Sequence, residues 1–105
     1  MADSPTTRTL KLLRSRGYLA AVVEKWNPHA RIRQDLFGII DVIGIREGET
    51  IAVQSTSASN QSKRIAKIEE SEALTAIRSA GWTLLVHGWR KKPNGRWVCN
   101  ETDLS

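Results

Sequence analysis

The chain is poor in the features that mark secreted, zinc-binding or membrane proteins. It holds one cysteine, Cys99, in 105 residues. No intrachain disulfide can form, and a reducing compartment is expected. No apolar run approaches the length of a bilayer span, and the opening MADSPTTRT carries no hydrophobic stretch of a signal peptide. These absences predict a cytoplasmic protein with no membrane partner. The two histidines, His29 and His87, lack paired-ligand spacing, which argues against a zinc site. Repeats, low-complexity tracts and linkers are also missing, so one domain over residues 1–105 is expected.

Acidic residues are outnumbered as well, 11 against 16 basic ones, leaving a net charge of +5. The basic residues are spread through both halves, so a basic face must be assembled by folding. That balance favours a polyanionic partner, DNA before membrane. Apolar content is 40% and charged content 26%, which excludes wholesale disorder.

What is present reads as an α/β chain. Ser4-Pro5 looks like a helix cap and first-turn proline, and Gly17 like a stop, with TTRTLKLLRSR a short basic helix between them. YLAAVVEKW reads as a strand ended by the turn NPH, which puts Trp26 in the core. GIIDVIGI and TIAVQST are β-branched runs joined by REGE, a hairpin signal. Ser59 or Asn60 would cap a helix over KRIAKIEESEALTAIRSAG, which Gly81 stops. WTLLVHGWR and RWVC are strands joined by KKPNG, with Trp82 in the core. The expected order is αβββαββ, a central mixed sheet of about five strands flanked by two helices.

Asp41 stands among Ile39, Ile40, Val42 and Ile43, where burying an uncompensated carboxylate costs several kcal/mol. With Glu47-Gly48 as the hairpin turn, Asp41 falls opposite Gln54, and strand period adds Thr56 to their face. Two readings are open. Gln54 can donate a hydrogen bond to Asp41 as a structural pair. Alternatively the two oxygens hold a hard divalent cation such as Mg²⁺, with Glu24 or Asp35 as a second acid. Asp35, just before Phe37-Gly38, equally suits a strand-entry turn.

The element order, the acid in IIDVIGI and the polar end of IAVQST resemble the core of the PD-(D/E)XK nuclease superfamily. Small archaeal Holliday-junction resolvases and phage-encoded endonucleases are the nearest look, over about Thr7 to Trp97. The resemblance implies a restriction-endonuclease-like core and a DNA endonuclease using Mg²⁺, with Mn²⁺ able to substitute. Asp41 would be the family's Asp, and Gln54-Ser55-Thr56 stand where its Glu-x-Lys does. Asp41, Gln54 and Glu24 would then be the metal ligands, with Lys67 or Lys63 the catalytic cation. Gln54 and Thr56 depart from the pattern, removing a negative charge and a lysine.

DNA contacts have separate support in GWRKKPNGRW, where Arg90, Lys91, Lys92 and Arg96 sit between Trp89 and Trp97. Cations there suit phosphates, and the tryptophans either stack on unpaired bases or pack on the core. Lys63, Arg64 and Lys67 near the start of a helix oppose its dipole and hint at a bound anion. Glu69, Glu70 and Glu72 offer them intrahelical partners instead. Cys99 reads as a small buried residue. Three functions follow in order: an endonuclease, alone or as a homodimer; a catalytically degenerate DNA-binding protein of the same fold; and a protein whose basic face binds an acidic partner.

Overall fold

A computed structural model describes residues 3–105 as a five-stranded mixed sheet with helices on both faces and a separate two-stranded hairpin. Helix α1 (Pro5–Ser15) begins as its sequence dictates. The Ser4 hydroxyl accepts from the Thr7 amide at 3.1 Å, and Pro5 occupies the first turn. Its end is closed by Gly17 at φ +89°, whose N–H donates to the Arg14 carbonyl while Tyr18 N–H reaches Leu13.

The main sheet runs β1 (Leu19–Val22), β4 (Val42–Arg46), β5 (Glu49–Ser57), β6 (Thr83–Lys91) and β7 (Trp97–Asp103), neighbours in that order. Strands β4 and β5 form the expected hairpin, with Gly48 at φ +70° in its turn and Arg46 opposite Glu49. Val42 stands opposite Val53, so Asp41, one residue before β4, comes across from Gln54. Strands β5 and β6 are parallel, and a parallel pair needs a crossover. Helices α2 (Gln61–Glu69) and α3 (Ala73–Ser79) supply it.

Three expectations are corrected here. The single helix over 63–81 is two helices, so the sheet carries three helices rather than two. At the break the Ser71 hydroxyl accepts from the Ala73 amide, a local alternative to the helical ladder. The strand YLAAVVEKW ends at Val22, because its partner β4 begins opposite it at Val42. The chain then leaves the sheet, and β2 (Lys25–Asn27) pairs with an unforeseen β3 (Ile32–Gln34). Trp26, expected in the core, is 56% exposed on that hairpin.

Alternation along the strands divides the apolar residues into two cores. Leu13, Tyr18, Val42, Ile51, Val53 and Leu85 pack on the α1 face. Ile40, Ala52, Ile68, Leu74, Ile77, Leu84 and Val86 pack on the α2/α3 face, with Trp82 partly buried against them. The first turn of α2 presses so closely on β6 that a Cβ at Gly88 would lie 2.5 Å from the Gln61 side-chain oxygen. That amide needs the space, since its Nε2 donates to the Asn100 carbonyl and Thr102 hydroxyl across β7. Among the described residues no helix is long and apolar enough to cross a membrane.

Candidate metal centre

Asp41 is 3% exposed and held by three strands' worth of main chain and side chain. Its N–H donates to Val53 O at 3.0 Å, and its carbonyl receives Val23 N–H at 2.9 Å. The carboxylate accepts from Gln54 Nε2 at 3.0 Å, from the Ser55 amide at 3.1 Å and from the Ser55 hydroxyl at 3.2 Å. Burial nevertheless pushes its pKa from 3.8 up to about 7, against the Ser55 N–H and with the help of the nearby Asp35 and Glu24 charges.

Those two acids arrive on the excursion between β1 and β4. Glu24 links β1 to β2, and Asp35 follows β3. A tight turn then reverses the chain, with Leu36 N–H on Ile40 O and both Phe37 (φ +54°) and Gly38 (φ +77°) left-handed. Such a conformation is strained for a bulky side chain like that of Phe37. Its effect is to bring Asp35 back beside Asp41. One oxygen each from Glu24, Asp35 and Asp41 lie within 4.8 Å of one another.

Gln54 completes the set. It is 1% exposed, its Nε2 is committed to Asp41, and its Oε1 has no hydrogen-bond partner among the described residues. An orphaned buried acceptor costs about 1–3 kcal/mol. Gln54 lines the same cleft as the three carboxylates, a concavity of about 360 Å³ that also takes Ser55, Thr56, Arg33, Arg64 and Lys67 in its walls. The three carboxylates form a hard donor set suited to Mg²⁺, Mn²⁺ or Ca²⁺. A divalent cation would offset the repulsion among the acids and displace the Asp41 proton. The residues fit the group.

The structure therefore brings Glu24, Asp35, Asp41, Gln54, Thr56, Arg64 and Lys67 to one cleft. Of the two sequence readings of the Asp41–Gln54 pair, the hydrogen-bonded one is present, with Gln54 Nε2 donating to Asp41 Oδ2. Lys63 is exposed on α2 and does not line the cleft. Arg90, Lys91, Lys92 and Arg96 are exposed around the β6–β7 turn, beyond the end of β5, and also lie off the cleft wall. Trp89 is half-buried, with its Nε1 donating to Thr9 Oγ1 at 3.0 Å and its ring edge-on to His87. Trp97 is 43% exposed, and the Arg8 guanidinium already covers its ring at 3.7 Å.

Two residues of the site escaped sequence reasoning. Arg33 pairs with Glu24 Oε1 at 2.8 Å and lines the cleft. Reading RIRQ as a strand would have found it. Ser55 carries no signal, because strict alternation assigns it to the opposite face from Gln54. It reaches Asp41 because Asp41 lies beyond the end of β4.

A second buried polar cluster sits on the α1 face. His87 is fully buried, with Nδ1 3.0 Å from Thr9 Oγ1 and Nε2 2.8 Å from Glu101 Oε2, and Arg16 donates to the same carboxylate at 2.7 Å. Burial holds the imidazole pKa below its usual value despite Glu101. A neutral ring with Nε2–H donating to Glu101 and Nδ1 accepting from Thr9 satisfies every member. Cys99 is half-buried on β7, and burial pushes its thiol up to about 12, which leaves it unreactive.

Compared with family models, curated proteins and solved structures, the chain matches none of them.

Proposed function

We propose that this chain is a small Mg²⁺- or Mn²⁺-dependent DNA endonuclease with a restriction-endonuclease-like core of the PD-(D/E)XK kind. The observation that carries the reading is the meeting of three carboxylates, Glu24, Asp35 and Asp41, within 4.8 Å of one another in a cleft that Gln54 also lines. The element order supports it: helix, antiparallel strands, then a helical crossover into a strand parallel to β5. The basic balance supports a DNA partner.

Glu24, Asp35, Asp41 and Gln54 would hold the cation. When bound, it would act as a Lewis acid, polarising a phosphoryl oxygen and making water a better nucleophile at neutral pH. Ser55 keeps the Asp41 carboxylate oriented through its amide and hydroxyl. Lys67 and Arg64, on the α2 wall, stand ready to take phosphate oxygens and the charge that grows on them in the transition state. Arg33 pairs with Glu24 Oε1 at 2.8 Å and offsets part of the negative charge of the acidic cluster. Thr56 contributes a hydroxyl where a cation would serve the family, so the positive charge must come from α2.

The test is cleavage of plasmid and branched DNA with Mg²⁺ or Mn²⁺. Wild-type protein cuts, Asp41→Ala does not, and cutting that survives this substitution removes the mechanism. A second reading, a DNA-binding protein on the same fold without catalysis, is favoured by the Gln54 amide committed to Asp41 and by Thr56. It predicts salt-sensitive binding and no cleavage with either metal.

A further inference from the structure

The β2–β3 hairpin contains Lys25, His29, Arg31 and Arg33 and no acidic residue. Almost every side chain from Lys25 to Gln34 is exposed. Its turn is built locally: Asn27 Oδ1 accepts from the His29 and Ala30 amides at 3.0 and 3.2 Å, and Arg31 takes φ +53°. A short hairpin without a buried face is marginal by itself, so an indole 56% exposed upon it contributes little to folding. Trp26 stands directly opposite Arg33 and therefore shares its face. From that face the Arg33 guanidinium reaches Glu24 at 2.8 Å and enters the wall of the acidic cleft. Trp26 is two residues from Glu24, a reach of about 7 Å at most.

We infer that Trp26 is a base-stacking platform beside the cleft, and that the preferred ligand is nucleic acid with unpaired bases rather than continuous duplex. The inference rests on the proposed phosphodiester function of the cleft and adds its substrate class. Arg33, directly opposite Trp26, lines the same cleft as Arg64 and Lys67, so a strand with a phosphate at those cations would run past the hairpin that carries the indole. Within a duplex both faces of each base are covered by neighbours, so only an unstacked base can use this surface. Lys25, Arg31 and Arg33 then follow the backbone. A lipid surface fits less well. Ile32, the hairpin's other exposed apolar side chain, pairs with Asn27 on the opposite face, so the two do not form one inserting surface.

The test is fluorescence anisotropy in EDTA at low salt, with labelled oligothymidylate roughly 12 nucleotides long and a blunt duplex of matching length. Wild-type protein binds the single strand more tightly than the duplex. Trp26→Ala weakens single-strand binding by about tenfold and leaves duplex binding nearly unchanged, while Trp26→Phe keeps most of it. Circular dichroism melts check that both variants fold. Equal losses on both ligands, no loss on either, or binding only to anionic phosphatidylserine vesicles overturns the inference. Trp26-dependent single-strand binding without cleavage under any metal would sustain it and defeat the nuclease reading instead.

Discussion

The sheet carries two buried polar clusters on opposite faces, and they differ in one respect. Around His87 every donor meets an acceptor: Trp89 to Thr9, Thr9 to the imidazole, the imidazole to Glu101, and Arg16 to the same acid. Around Asp41 the account does not balance. Three acids crowd together, a carboxylate is pushed up to about 7 by burial, and a glutamine oxygen lacks a partner. A fully satisfied network fixes one conformation, whereas an unsatisfied one stores a deficit that a ligand can relieve. Burial alone does not distinguish the two. Satisfaction does.

The contrast can be broken most forcefully through pH. The folded-state pKa of Asp41 is raised from 3.8 to about 7. Its contribution to stability is therefore fully present below 3.8 and lost as pH rises through about 7. In metal-free urea titrations the wild type should lose on the order of 4 kcal/mol relative to Asp41→Asn between acid and pH 8. Mn²⁺ should reverse this loss, raising the melting temperature more at pH 8 than at pH 6 and not at all in Asp41→Asn. A flat difference between wild type and variant across that range would remove the deficit from the Asp41 side.

Thr9→Val attacks the satisfied side. It strands Trp89 N–H and His87 Nδ1, and should cost about 3 kcal/mol in chemical denaturation while leaving Mn²⁺ affinity unchanged. The His87 pKa is lowered, so the sign is opposite to that of Asp41. Its stabilisation is present above the unfolded value of 6.5 and lost as pH falls through the folded value. Melting temperature should accordingly fall as pH drops below 6.5 in Asp41→Asn. Gln54→Met is the mirror experiment. It removes the orphaned oxygen and also the Nε2 donor to Asp41, two changes of opposite sign. Because they offset, metal-free stability should change by less than about 1 kcal/mol, whereas calorimetry with Mn²⁺ should show clearly weaker binding. Lys63→Ala, off the cleft and exposed, should shift stability by less than about 0.5 kcal/mol and spare metal binding, unlike Lys67→Ala in a cleavage assay.

How much of this was readable beforehand follows from the range of each interaction. The α1 cap and stop, the β4–β5 register and the Asp41–Gln54 meeting are local, set by Ser4, Pro5, Gly17 and the REGE turn. The split of YLAAVVEKW is not local. Glu24 and Lys25 are only weak strand breakers, and the run divides because its partner β4 starts at Val42. The helix over 63–81 breaks at a run, EESE, that no propensity scale interrupts. For Asp35 a turn before Phe37-Gly38 and a ligand position predict the same residue; the structure shows the turn, with Gly38 N–H on Asp35 O, and brings its carboxylate near those of Glu24 and Asp41. The His87 cluster was invisible, since Thr9, His87, Trp89 and Glu101 come from three distant segments. Metal-ligand spacing carries no signal for a histidine whose partners are a threonine and a glutamate.

The segment from Glu24 to Asp41 leaves the sheet at one acid and returns to it at another, with Asp35 just before the return. Its middle is an exposed ribbon, while Asp41 is tied through its own peptide groups to Val23 and Val53. An ion gripping all three side chains would therefore work like a drawstring, cinching both necks of an otherwise loosely tethered pouch. Deuterium uptake at the amides of residues 25–34 should slow when Mn²⁺ is added, even though none of those backbone groups touches the ion. The arm and the cleft would stiffen together.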